Sequence, residues 1–236
     1  MQVYEEIGNL PRIAVCIQNL GRVYMMQANY EEAEAYFRRG LIYSEHIGEF
    51  DKAIIDFSKT IELGPQRAEA YYRRGIAYEN QATSPSQQLV ARNGVGVAGV
   101  ERSKPPANHD SVGSLRSTTV TPESTSCIRS KFDRAAADYG EALTRGLMRP
   151  DVYTRRATAR ALNGSAQLAL DDYGKAVRLD TDYAPALFER GTILCDCLGE
   201  FDRAITDFDA AIRVKPKQPL AYYNRAVACA AKGDLE

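Results

Sequence analysis

The sequence predicts an all-α fold, a solenoid of antiparallel helix pairs carrying one long insertion. Three observations predict it: a phrase that returns every 34 or 35 residues, a second phrase that returns at the same period, and turn residues placed between the two. The first phrase is a small residue preceded by Arg, at Arg39 and Gly40, Arg74 and Gly75, Arg156 and Ala157, Arg190 and Gly191, and Arg225 and Ala226. Its clean steps, Gly40 to Gly75, Ala157 to Gly191 and Gly191 to Ala226, are 35, 34 and 35 residues. The second phrase is an aromatic, then Ala, then Asp followed by an aromatic. It reads Phe50, Ala53, Asp56 and Phe57; Phe132, Ala135, Asp138 and Tyr139; and Phe201, Ala204, Asp207 and Phe208, with a weaker copy at Ala169, Asp172 and Tyr173.

Each element follows in order. The first nine residues read as the tail of a helix. A pair then runs from Leu20 and Gly21 to Phe37, with the helix from Tyr30 to His46 serving both this unit and the next. Gly48 breaks that helix. Ala53, Phe57, Thr60 and Ile61 share one stripe of the following helix, which Gly64 and Pro65 end. A first helix ending near Gln81 is separated from its partner, which begins near Lys131. Gly199 and Pro216 punctuate the later units, and a last first-type helix spans Pro219 to Lys232, with Gly233 starting a turn. Small residues at Gly40, Gly75, Ala157 and Gly191, facing Ala53, Ala135, Ala169 and Ala204, let paired helices approach closely.

At these residues the chain resembles the tetratricopeptide-repeat family, whose unit of roughly 34 residues is a helix-turn-helix with a Leu-Gly, Tyr, Ala, Phe, Pro pattern. Leu20, Gly21, Tyr24, Ala33 and Phe37 make one copy, and Gly75, Tyr78, Ala135 and Tyr139 make another that has been split. The resemblance implies a right-handed superhelix whose groove holds a protein or peptide. Tyr4 to Gly8 and Tyr43 to Gly48 repeat at an offset of 40, which resembles the longer-period repeats of scaffold proteins. The organisation expected is residues 1–81 as the N-terminal repeats, 82–130 as a disordered Ser/Thr/Gly/Pro-rich insertion, and 131–236 as the C-terminal repeats with the last one incomplete, as in a piece of a longer array.

Composition narrows the function. Thirty basic against thirty-one acidic side chains give a net charge of −1, which offers no bulk cation excess to a phosphate backbone or an anionic membrane. No run approaches the roughly 18 apolar residues that span a bilayer, and no secretory signal opens the chain. The expected location is cytoplasmic, with no nucleic acid, membrane or small-molecule cofactor as partner. Five scattered cysteines make no disulfide framework. The glycines at 94, 96 and 99 match a dinucleotide-binding spacing but lack the strand and helix that give it meaning. Ser84 and Thr121, each before a proline, fit Pro-directed phosphorylation. His46 and His109 are the only histidines, and Cys195 and Cys197 lie two apart on a helix, so neither catalytic nor metal chemistry is expected.

Function is expected in the groove lined by the first helix of each pair. Helical phase places Phe37, Tyr72, Phe188 and Tyr223 there, with Glu69, Ile76, Glu79, Thr158, Thr192 and Asp196 around them and Thr154 interrupting the row. Such a surface suits a peptide with apolar anchors and basic residues. Two rivals are a chaperone C-terminal-tail adaptor using Arg73 and Arg155, and a purely structural segment of a longer array. The spacing also pairs Arg39 with Asp56, Arg74 with Asp138, Arg156 with Asp172, and Arg190 with Asp207 as register-setting ion pairs within units.

Overall fold

The structure, a computed structural model, describes residues 2–83 and 122–233. Among these residues it contains α1 (Gln2–Leu41), α2 (Phe50–Leu63), α3 (Ala68–Ala82), α4 (Pro122–Thr144), α5 (Pro150–Leu162), α6 (Ala166–Leu179), α7 (Ala184–Ile193), α8 (Phe201–Val214) and α9 (Pro219–Lys232), and no strand. Successive helices pack antiparallel as the pairs α1/α2, α3/α4, α5/α6 and α7/α8, and α9 lies against α8. This is the all-α solenoid that the two phrases predict.

One stripe builds every second helix. Residues at i, i+3, i+4 and i+7 are buried as Ala53, Asp56, Phe57 and Thr60 in α2, as Ala135, Asp138, Tyr139 and Ala142 in α4, as Ala169, Asp172, Tyr173 and Ala176 in α6, and as Ala204, Asp207, Phe208 and Ala211 in α8. The large residue of each stripe meets the small residue of the first helix. A Cβ added at Gly40, Gly75 or Gly191 would lie 2.8, 2.7 or 2.9 Å from the ring of Phe57, Tyr139 or Phe208, inside any real carbon contact. Ala53, Ala135, Ala169 and Ala204 are fully buried opposite, so the pairs are held by ring against backbone.

The alternation of 34 and 35 residues has a local cause. Units of 35 carry their extra residue in the first helix, whose end widens into a π-turn at Ile42–Ile47 and again at Leu194–Leu198. Each π-turn stops at a glycine in the left-handed region, Gly48 at φ 78° and Gly199 at φ 65°. Between Ala157 and Ala169 the count is one shorter, α5 ends without a π-turn, and Gly164 makes the break at φ 85°.

Three expectations are corrected. First, the N-terminal pair does not form; α1 runs unbroken from Gln2 to Leu41. Five residues before the Ala of the second phrase, where Gly48, Gly164 and Gly199 turn, this unit has Ala28, whose Cβ disfavours the left-handed conformation. Second, α4 begins at Pro122, not at Lys131. Its first turn carries Pro at the position where a missing N–H costs nothing, and Ile128 is buried against the α3/α4 core. Third, the insertion expected over 82–130 is therefore shorter at its C-terminal side. The remainder of it, with the glycines at 94–99, His109, Ser84 and Thr121, lies outside the described residues.

Candidate functional site

The four Arg–Asp combinations are all ion pairs with two hydrogen bonds each. Arg39 donates to Asp56 at 2.7 and 2.7 Å, Arg74 to Asp138 at 2.8 and 2.7 Å, Arg156 to Asp172 at 2.7 and 2.6 Å, and Arg190 to Asp207 at 2.7 and 2.6 Å. The aspartates are buried because they belong to the stripe of the second helix, and the guanidinium one residue before the tight glycine or alanine reaches them. Asp172 is the most enclosed, and Arg160 donates to it as well at 2.6 Å. These pairs lie within units.

On the other flank of the first helices the aromatic row is graded. Phe37 packs on Phe57 with centroids 5.7 Å apart, Tyr72 on Tyr139 at 5.9 Å, and Phe188 on Phe208 at 6.0 Å. Phe37 and Tyr72 are only 7% and 5% exposed, Phe188 is half-buried, and Tyr223 is 66% exposed. Phe37 and Tyr72 are therefore core residues, a correction to their placement on an open groove. The cause is the residue that caps the next first helix. Arg67, the N-cap of α3, lies 3.7 Å over the Phe37 ring and pairs with Glu34 at 2.6 Å. Arg149, the N-cap of α5, lies 5.0 Å over the Tyr72 ring and pairs with Asp151 at 2.7 Å. At the equivalent place before α9 stands Gln218, and among the described residues no cation lies over the Phe188 ring.

The uncovered ring opens a cavity of about 860 Å³ lined by Pro185, Phe188, Glu189, Pro216, Gln218 and Leu220, with Lys215 and Lys217 on its rim. Among the described residues no hydrogen bond or ion pair engages Glu189, and burial pushes its carboxyl above the usual range. It lies near enough to Tyr173 to help raise that phenol, whose shift comes first from burial.

The middle of the row is a satisfied polar network. Tyr72 donates to Asp151 at 2.7 Å, Tyr139 to Glu79 at 2.7 Å, and Thr158 shares a 2.9 Å bond with the Tyr173 hydroxyl. Burial raises Asp151, but Arg149 and Tyr72 more than offset it and hold the carboxyl below the ordinary aspartate range. Arg155 donates to Glu79 at 2.8 Å, and Arg73 to Glu45 at 2.6 Å and Glu69 at 2.9 Å, so both arginines that an acidic tail would need are occupied by this chain's own carboxylates. Ile76 is half-buried against the α3/α4 core. Thr192 accepts from Asn224 at 3.3 Å, and Asp196 is exposed in the second π-turn. The sequence reading missed Glu189, Arg67, Arg149 and Gln218; aligning the N-cap positions of the first helices would have exposed the change from Arg67 and Arg149 to Tyr183 and Gln218. Among the described residues no group of His, Cys, Asp or Glu is placed to hold a metal, and no helix is long and apolar enough to cross a membrane.

Helix pairs of 34 or 35 residues stacked in this way define a helical repeat protein. Residues 13–47 and 33–67 each match a model described as a tetratricopeptide repeat, and residues 198–233 match one described as a TPR repeat. Tetratricopeptide-repeat models thus match residues 13–67 and 198–233 of the chain. Two solved structures share its fold. A MamA protein is 20% identical, with 86% of this chain and 84% of that chain covered and a TM-score of 0.61. YrrB, a TPR protein with an unusual peptide-binding site, is 21% identical, with 91% and 84% covered and a TM-score of 0.59. No curated protein matches the sequence.

Proposed function

We propose that this protein is an interaction scaffold that holds a peptide or an extended segment of a partner protein on the face formed by its first helices. The observation that carries the reading is the open cavity beside Phe188, an apolar hollow lined also by the exposed Leu220, on an array where Phe37 and Tyr72 are sealed. That YrrB carries a peptide-binding site on a similar array is in keeping with it. No nucleophile, metal site or cofactor site is part of the reading, and the expected partner is a protein.

Photo-crosslinking tests it. A benzoylphenylalanine at Tyr223 should give a discrete adduct in lysate, whereas the same probe at Thr206, exposed on the second helix α8, should not. Adducts from neither position, or the same adducts from both, would refute a groove-directed scaffold.

A further inference from the structure

We propose that the uncovered face of α9 docks an amphipathic helix of a partner protein, one that carries Ala, Asp and an aromatic at positions i, i+3 and i+4. This surface lies at the end of the stack, apart from the Phe188 cavity, and goes beyond the groove reading. α9 is a first helix in its local features: it has the Arg225 and Ala226 of the first phrase, and Gly233 follows it at φ 91°, in the left-handed region used by Gly48 and Gly199. It packs on α8, and among the described residues no second helix covers its other side. Tyr222, Tyr223 and Ala226 are exposed there, the tyrosines at 41% and 66%. At the same places of α3, Tyr71 and Tyr72 are 7% and 5% exposed, in one core with α4.

Arg225 shows what the covering helix supplies. In Arg39, Arg74, Arg156 and Arg190 the Nε and Nη2 atoms together grip the aspartate of the second helix. Arg74 also donates from Nη1 to Ser58, on the second helix of the preceding unit, at 3.0 Å. Arg225 keeps this last bond: its Nη1 donates to Asp209 of α8 at 2.8 Å, and Ser58 and Asp209 both stand five residues after the Ala of the second phrase. Among the described residues nothing accepts from its Nε or Nη2. The guanidinium is still held as in the complete units, 5.8 Å over the Tyr222 ring, where Arg74 is 5.8 Å over Tyr71 and Arg156 is 5.7 Å over Tyr153. Two parallel donors set in this way match a carboxylate.

Ala226 fixes the rest of the motif. The small residue of a first helix receives the ring that directly follows the aspartate, Phe57 at Gly40, Tyr139 at Gly75 and Phe208 at Gly191; Ala157, which has a Cβ as Ala226 does, shares a core with Tyr173. The Ala three residues before the aspartate is fully buried in every complete unit, which lets the backbones close. Charge agrees, since α9 carries Arg225 and Lys232 and no acidic residue. Each second helix of this chain already has its stripe buried against its own first helix, so a second copy has none to lend, and the occupant is a helix of another protein.

The probe is a fluorescein-labelled peptide with the sequence of Phe201–Val214, which carries the motif, held helical by a hydrocarbon staple between the outward positions 202 and 206. Its anisotropy is titrated with the full chain. Binding should saturate, and Asp207→Asn or Phe208→Ala in the peptide should each weaken it about tenfold or more. Arg225→Gln in the chain should weaken the unmodified peptide by a similar factor and bring it within about threefold of the Asp207→Asn peptide. Ala226→Leu, at an exposed position, should block docking with the helical circular dichroism unchanged. No saturable binding by the stapled peptide, or binding indifferent to both Arg225→Gln and Ala226→Leu, would overturn the α9 site while leaving the groove reading standing.

Discussion

Four copies of one ion pair in four surroundings allow a ranked test of what burial does to a charge. Asp172→Ala removes a carboxylate whose side chain is 0% exposed and strands Arg156, itself 14% exposed, and Arg160, 28% exposed. A guanidinium so enclosed is poorly rehydrated, and breaking a buried pair from one side costs about 3–5 kcal/mol. Asp56→Ala removes an almost equally buried carboxylate, but its partner Arg39 is 55% exposed and returns to water. The loss there should approach that of a surface pair, about 1 kcal/mol. Arg74 and Arg190, at 21% and 24%, place Asp138→Ala and Asp207→Ala between the two. Urea unfolding followed by far-ultraviolet circular dichroism reads the four variants, fitted with a nearest-neighbour repeat treatment because arrays depart from two-state behaviour. Adding Arg156→Ala to Asp172→Ala should recover part of the loss, since the more enclosed of the two stranded charges goes with it. Equal costs at Asp56 and Asp172, or a loss at Asp172 under about 1 kcal/mol, would show that the pairs act by geometry alone and that the desolvation argument is wrong.

Other outcomes follow from the same structure. Glu189→Gln should raise the urea midpoint at pH 7 and leave it unchanged at pH 3. Burial raises the folded carboxyl above its unfolded value, so the penalty grows as pH rises from the unfolded value through the folded one and is complete above it, and a neutral amide removes it. Tyr72→Ala should cost about 3–5 kcal/mol as a core truncation, whereas Tyr223→Ala, at 66% exposure, should change stability by no more than about 0.5 kcal/mol. The contrast is read by thermal melts of the two variants, and similar losses would contradict the grading of the aromatic row. Deleting Cys197 from the second π-turn should leave a folded array, because the shorter unit through Gly164 already works without that residue; deleting Thr206 from α8 rotates Asp207 and Phe208 off their stripe and should unfold the pair. Calorimetry of the two deletions distinguishes them.

The fold was legible because its two phrases are packing rules. A small residue in one helix and an aromatic in the next specify a close crossing, and that crossing repeats at Gly40, Gly75 and Gly191. The spacing of Arg and Asp was readable for the same reason, since it is fixed by helical phase within a unit. Two kinds of information were not local. Whether α1 would turn depended on a single Ala28 in place of a glycine, inside a unit that otherwise matches the family pattern from residue 13 to 47. Whether an aromatic is groove or core depended on a residue about 30 positions away, at the cap of the next unit: Arg67 covers Phe37 and Arg149, across the insertion, covers Tyr72, while Gln218 leaves Phe188 open. Helical phase alone assigned all three the same fate.

The hairpin apex is where this array lets chain length vary. From the small residue of the first helix to the Ala of the second, the count is 12 residues at Ala157, 13 at Gly40 and Gly191, and 60 at Gly75. The crossing is the same throughout: Tyr72 meets Tyr139 at 5.9 Å, against 5.7 and 6.0 Å in the unbroken pairs, and Arg74 still finds Asp138. Helix pairing is thus set by the two faces that meet and not by the connection between them, in keeping with a closure cost that grows only logarithmically with loop length. The apexes at Gly48, Gly164 and Gly199 are accordingly sites where a foreign sequence can be grafted with the stack kept intact, and the natural chain has already carried out that graft once.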